Sequence, residues 1–135
     1  MTLAQRRVVH DFETNRFPAF KKRVDEAAGI EIPLEVHWDT LATPDESHLY
    51  AQSWPALYFE PLIEALKTVA GDELGREAIR AGLKKIVVQN QKGCSYGSCW
   101  AALEDGILTL DHALANVSET EERKNGLVAV LENGL

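Results

Sequence analysis

The sequence predicts a single α+β domain over residues 1–135, with a small antiparallel sheet and about six helices in the order ααβαααβββα. Apolar residues recur every three or four positions in most of the chain, which is typical of amphipathic helices. Residues 30–38 alternate with a period of two, as a strand does. Asp105-Gly106 between two alternating runs favours a β-hairpin. We therefore expect a three-stranded meander, an N-terminal edge strand and helices against one face.

The first two helices have clear end signals. Thr2 and Gln5 have the spacing of a capping box, so a helix should run to about Asn15. Pro18 suits the first turn of a second helix, and Gly29 suits its end.

The strand over residues 30–38 should bury one side only. Its apolar side holds Ile30, Ile32, Leu34, Val36 and Trp38. Pro33 has no N–H for a ladder hydrogen bond, which places the strand at an edge of the sheet.

The sequence of the middle of the chain predicts three helices. Thr43-Pro44-Asp45-Glu46 resembles a capped helix start, and that helix should end near Gln52. Pro55 and Pro61 predict a break near Glu60. The next helix should bury Leu62, Ile63, Leu66 and Val69. Gly71 and Asp72 then predict a helical hairpin, whose second helix buries Leu74, Ala78, Ile79, Gly82 and Leu83.

The last third predicts three strands and a helix. Residues 86–88 form a buried strand, and a two-residue turn pairs Glu104 with Ile107 and Leu103 with Leu108. Extended to the strand ends, this register places Trp100 opposite Asp111 and Cys99 opposite His112. Ser118 with Glu121 is a second capping-box spacing that begins the C-terminal helix.

The same register gives the hairpin two faces. Cys99, Ala101, Leu103, Leu108, Leu110 and His112 should face the core. The other face carries Glu104 and Asp111 near its ends. Between them it carries a strip too apolar for a fully solvated surface: Trp100, Ala102, Ile107 and Thr109. We expect self-association through this face, with Trp100 as the anchor. The competing arrangement covers the face with the N-terminal helices of the same chain.

Cys99 and His112 form the main catalytic candidate. An imidazole beside a thiol can stabilise the thiolate nucleophile. Free thiols are the default for Cys94 and Cys99, whereas a disulfide or a pair of metal ligands are the alternatives. The four histidines have no metal-ligand spacing, so we predict neither a metal site nor a cofactor.

Aromatic residues concentrate around Trp54 and Tyr58, with Trp38 at the end of the early strand. Such residues line apolar pockets or anchor interfaces, and they also fill cores.

Composition and charge restrict the partners. The net charge of −7 disfavours nucleic acid and anionic membranes and would suit a basic protein. Two cysteines and an N-terminus without a secretory pattern indicate the cytoplasm.

The function predicted from the sequence is a non-enzymatic binding or protein-interaction module. We expect it to form homo-oligomers, with a basic protein or a small apolar ligand as further possible partners. The alternative is a small cytoplasmic enzyme that uses Cys99 and His112, or a histidine and a carboxylate in a pocket.

Overall fold

The computed structural model describes residues 1–43 and 46–135. It confirms the mixed α+β class. The helices are α1 (Leu3–Asn15), α2 (Phe17–Ala28), α3 (Trp38–Leu41), α4 (Tyr50–Trp54), α5 (Glu60–Val69), α6 (Glu73–Gly82) and α7 (Thr120–Gly134). The strands are β1 (Leu34–Val36), β2 (Lys85–Gln89), β3 (Ala101–Glu104) and β4 (Ile107–Asp111).

The sheet is mixed, with the strand order β1-β2-β4-β3. Strands β1 and β4 both lie parallel to β2, and only β3 and β4 are antiparallel. The predicted antiparallel meander was therefore wrong. In a meander β2 would pair with β3, whereas here the chain crosses past β4 before it returns. The run Ile86-Val87-Val88, buried throughout, suits a central strand with parallel neighbours on both sides.

The hairpin has the register that its turn predicts. Glu104 pairs with Ile107, and Ala102 pairs with Thr109. Asp105 and Gly106 both have positive φ, 53° and 80°, as a type I′ turn requires. Two turn residues thus fix which hairpin side chains share a face.

Local end signals position three of the helices. Thr2 and Gln5 form the predicted capping box of α1. Gly29 ends α2 in the left-handed conformation, with φ of 79°. Asp72 caps α6 by accepting a hydrogen bond from the Gly75 N–H over 2.8 Å. Helix α7 differs, because it begins at Thr120 without a side-chain cap from Ser118.

The segment around the prolines is continuous where a break was expected. A π-helical turn over Pro55–Phe59 joins α4 to α5, and the Glu60 N–H donates to the Pro55 carbonyl. One wide turn accommodates the proline rings that would disrupt a regular helix. A 3-10 turn over Ser47–Leu49 precedes α4. The predicted start at Thr43–Glu46 lies partly outside the described residues.

Strand β1 lies at the edge, as Pro33 predicts, but it has only three residues. After it the chain turns into α3, where alternation had predicted strand as far as Trp38. The Pro33 carbonyl still accepts a hydrogen bond from the Ile86 N–H over 2.9 Å.

One hydrophobic core lies between the helices and one face of the sheet. Helix α5 packs on α7 and α2, so the predicted hairpin of α5 with α6 does not make the main helix contact. Ile79 and Leu83 are buried as expected, whereas Leu74 is 78% exposed. The core lies against one face of the sheet, whereas Glu35, Ala102, Glu104 and Ile107 on the second face are exposed.

Candidate functional site

The candidate site is this second face of the sheet, called here the open face. Because side chains alternate along a strand, the residues on the face follow from the register of the four strands. They are Glu35 of β1, Lys85, Val87 and Gln89 of β2, Ala102 and Glu104 of β3, and Ile107, Thr109 and Asp111 of β4.

The centre of the open face is mainly apolar. Val87 pairs with Thr109, which pairs with Ala102, so the three residues form a row across the sheet. In this row Val87 is buried, Thr109 is half-buried and Ala102 is exposed. Ile107 continues this surface and is 41% exposed. Part of the face forms an open groove of about 420 Å³, lined in part by Ala102, Ile107 and Thr109. Ile107 and Thr109 thus lie on the face of the hairpin on which the sequence places them.

A buried carboxylate organises one end of the open face. Asp111 is 2% exposed, and its oxygens accept hydrogen bonds from the Gln91 N–H, the Lys92 N–H and Gln89 Nε2 at 2.9, 3.1 and 3.0 Å. These bonds bind the chain after β2 to the end of β4. Asp111 thus serves as a structural support that accepts from three donors.

The edge beside β1 carries exposed charges. Glu35 contacts His37 Nε2 at 2.8 Å and Lys85 Nζ at 3.2 Å. The hydrogen bonds from His37 and Lys85 lower the pKa of Glu35. The open face thus has an apolar centre with a charged margin.

The proposed pair Cys99 and His112 is not assembled. The sulfur of Cys99 is bonded to that of Cys94, so the expectation of free thiols was wrong and the disulfide alternative is observed. Strand β3 begins at Ala101, and Cys99 is exposed. His112 is buried, with Nδ1 2.6 Å from the Ala113 carbonyl oxygen. The prediction that Cys99 faces the core was therefore wrong.

Trp100 was wrongly placed on the exposed face. It is 1% exposed, and its Nε1 donates to the Arg123 carbonyl oxygen. The regular pleat does not extend beyond Ala101, so the side chain turns towards α7. Trp100 cannot anchor a surface contact in this conformation.

The other aromatic candidates belong to the core. Trp54 and Tyr58 are 0% and 1% exposed, while Trp38 is half-buried against Phe17 and Trp54. The Tyr58 hydroxyl donates to the His112 carbonyl, and burial raises the pKa of Tyr58. Of the two readings of this segment, the structure places these side chains in core packing rather than at a surface.

Arg123 is a structural residue that the sequence reasoning missed. It is 1% exposed and donates to the carbonyl oxygens of Asn116, Val117 and Ala56 at 2.7 to 3.0 Å. Its spacing of four from the buried Leu127 was the available signal, because it places Arg123 on the inward side of α7.

Within residues 1–43 and 46–135, no helix has the length and apolar character needed to cross a bilayer. The same residues contain no group of three His, Cys, Asp or Glu side chains arranged to hold a metal ion. No protein-family model, curated protein or solved structure matches this chain.

Proposed function

We propose that this protein is a non-enzymatic interaction module that forms homo-oligomers through the open face of its sheet. One observation carries the proposal: the helices cover one face of the sheet, and the centre of the other face is apolar where alternation normally makes it polar. Ile107 is the one large apolar side chain exposed on a strand of the described residues.

A second copy is a suitable occupant because both signs of charge border the apolar centre. Glu35 and Lys85 pair with each other at one side of the face, whereas Lys92 and Glu104 line the groove beside the apolar centre. In a two-fold arrangement the same patch meets itself, so an acid of one copy can meet a base of the other. The net charge of −7 opposes association, and salt should reduce that repulsion.

The area of the open face sets the expected affinity of self-association. Four strands about 4.8 Å apart, with about five residues of 3.3 Å each, give roughly 300 Å² per copy. Stable interfaces bury about 800 Å² per partner, so the association should be weak, with a Kd in roughly the micromolar to millimolar range.

Sedimentation velocity over a concentration series tests the proposal. The wild type should shift from monomer towards dimer, and Ile107→Glu should remain a folded monomer because it places a charge in the apolar centre. Leu74→Glu is the matched control, since Leu74 is exposed on α6 and lies beside residues of α5 and α7. It should associate as the wild type does. A wild type that stays monomeric at about 1 mM would refute self-association, because weak interfaces should be populated there.

The proposal includes a cytoplasmic location, which the low cysteine count supports. Disulfides in that compartment are uncommon and mostly transient. The Cys94–Cys99 bond would then open and close in the cell. Thiol alkylation of acid-quenched cells should find both the bonded and the reduced protein, whereas complete oxidation under all conditions would argue for another compartment.

A further inference from the structure

We propose that Cys94 and Cys99 form a reversible redox site, reduced by a dithiol, whose opening loosens the surrounding loop and leaves the fold intact. The two sulfurs are bonded across a sequence separation of five residues. This inference does not depend on self-association through the open face.

The chemistry is a two-electron exchange. A thiolate of the dithiol attacks one sulfur, which breaks the Cys94–Cys99 bond and forms a mixed disulfide, and the released Cys sulfur takes a proton. The second thiol of the reductant then attacks the mixed disulfide. Two cysteine thiols and an oxidised dithiol result, and a small-molecule disulfide can reverse the reaction.

The bond lies where a reductant can reach it. Cys99 is exposed and Cys94 is half-buried, in a loop between β2 and β3. The chain has only these two cysteines, so no other thiol can compete for the pairing. Exposed disulfides are typically the labile or regulatory ones.

Both ends of the loop are held without the sulfurs. The Cys94 carbonyl accepts a hydrogen bond from the Ala113 N–H over 2.7 Å, and the Ser95 carbonyl accepts one from Asn116 Nδ2 over 2.8 Å. On the other side, the Nε1 of the buried Trp100 donates a hydrogen bond to the Arg123 carbonyl. Because these contacts remain after reduction, the strands on either side should keep their places.

The disulfide controls the short segment between these anchors. The carbonyl oxygen of Tyr96 lies 3.3 Å from Cys94 Sγ and 3.5 Å from Cys99 Sγ, inside the closed ring. The Tyr96 side chain is 63% exposed, whereas Gly97 is buried against α7. Without the bond, nothing covalent closes the ring around Tyr96, so this aromatic side chain gains freedom at the surface.

The test treats the folded protein with dithiothreitol in the absence of denaturant and alkylates the products. Mass spectrometry should find one alkyl group on each cysteine, while near-UV circular dichroism should retain a folded signal. The Cys99 N–H donates to the Tyr96 carbonyl over 3.3 Å within the ring, so its amide hydrogen exchange should become about tenfold faster, while exchange in β2 and β4 should stay unchanged. Removal of the reductant and addition of oxidised glutathione should restore the original mass.

A Cys94→Ser, Cys99→Ser double variant provides the second measurement, since it mimics the reduced state without a reductant. It should fold, and the amide of residue 99 should show the same fast exchange. Three outcomes would overturn the proposal: a bond that dithiothreitol cannot reduce in the folded protein, loss of protection in β2 on reduction, or loop exchange that reduction does not change. None of these outcomes bears on the sedimentation of the Ile107 variant, so the two proposals can fail separately.

Discussion

The indole Nε1 of Trp100 donates a hydrogen bond of 3.0 Å to the carbonyl oxygen of Arg123. This bond joins the residue before β3 to α7. The Arg123 side chain joins α7 to the π-helical turn at Ala56 and to the loop at Asn116. The two residues thus connect one edge of the sheet to the helices.

Replacement of Trp100 should destabilise the whole domain. Trp100→Ala should lower the free energy of unfolding by about 3 to 5 kcal/mol, because it removes a large buried ring and leaves a cavity. Chemical denaturation followed by circular dichroism measures the loss. Tyr96→Ala is the matched control, since Tyr96 is an exposed aromatic four residues away, and its effect should stay within about 0.5 kcal/mol. Similar effects for both variants would contradict the burial of Trp100.

Arg123→Met should lower the free energy of unfolding by about 3 kcal/mol. The substitution leaves three buried carbonyl oxygens, those of Asn116, Val117 and Ala56, without their donor. Lys124→Met provides the control on the same helix. Its contact with Glu121 spans 3.8 Å at the surface and should be worth less than about 1 kcal/mol. Urea denaturation of both variants compares the two costs, and an equal loss would show that the buried hydrogen bonds contribute nothing special.

Acid should destabilise the protein through His112. Burial is the main cause that lowers the pKa of His112, with Arg123 acting in the same direction and the Ala113 carbonyl and Asp111 opposing it. Among the described residues, Nε2 of His112 has no hydrogen-bond partner, and the Tyr58 hydroxyl contacts its backbone carbonyl. A proton on the imidazole is therefore more favourable in the unfolded chain.

The free energy of unfolding should therefore fall as the pH falls. The stabilising contribution of neutral His112 is complete above the unfolded pKa of about 6.5 and is lost as the pH falls from there through the lower pKa of the folded state. Denaturation at a series of pH values should show this decline, and His112→Gln should reduce its slope. His10→Gln, at an exposed position of α1, should keep the slope of the wild type.

Gly126→Ala should destabilise the protein, although alanine normally favours a helix interior by about 1 kcal/mol over glycine. A Cβ at residue 126 would lie 1.9 Å from the Gly97 carbonyl oxygen, so α7 and the disulfide loop would have to separate. Gly134→Ala on the same helix is the control, because its Cβ would meet the movable Leu103 side chain instead. Thermal denaturation should give a lower Tm for the residue 126 variant, and an unchanged or raised Tm would contradict the close approach.

The sequence by itself determined the features that depend on a few neighbouring residues. Thr2 with Gln5, Gly29 and Asp72 set helix ends, because each satisfies or terminates backbone groups within one turn. Asp105-Gly106 set the hairpin and its register for the same reason. Ile107 and Thr109 could be placed on the open face because the register follows from that turn.

Only the tertiary structure decided which distant segments meet. The choice of β4 rather than β3 as the neighbour of β2 depends on packing across more than twenty residues, which no local pattern reports. Trp100 is buried rather than exposed because it packs against α7, where the Arg123 carbonyl accepts its hydrogen bond. Cys99 lies outside the core and is bonded to Cys94. For Trp100, a contact with α7 more than twenty residues away outweighed the alternation of the strand, because burial of a large ring is worth more than strand propensity.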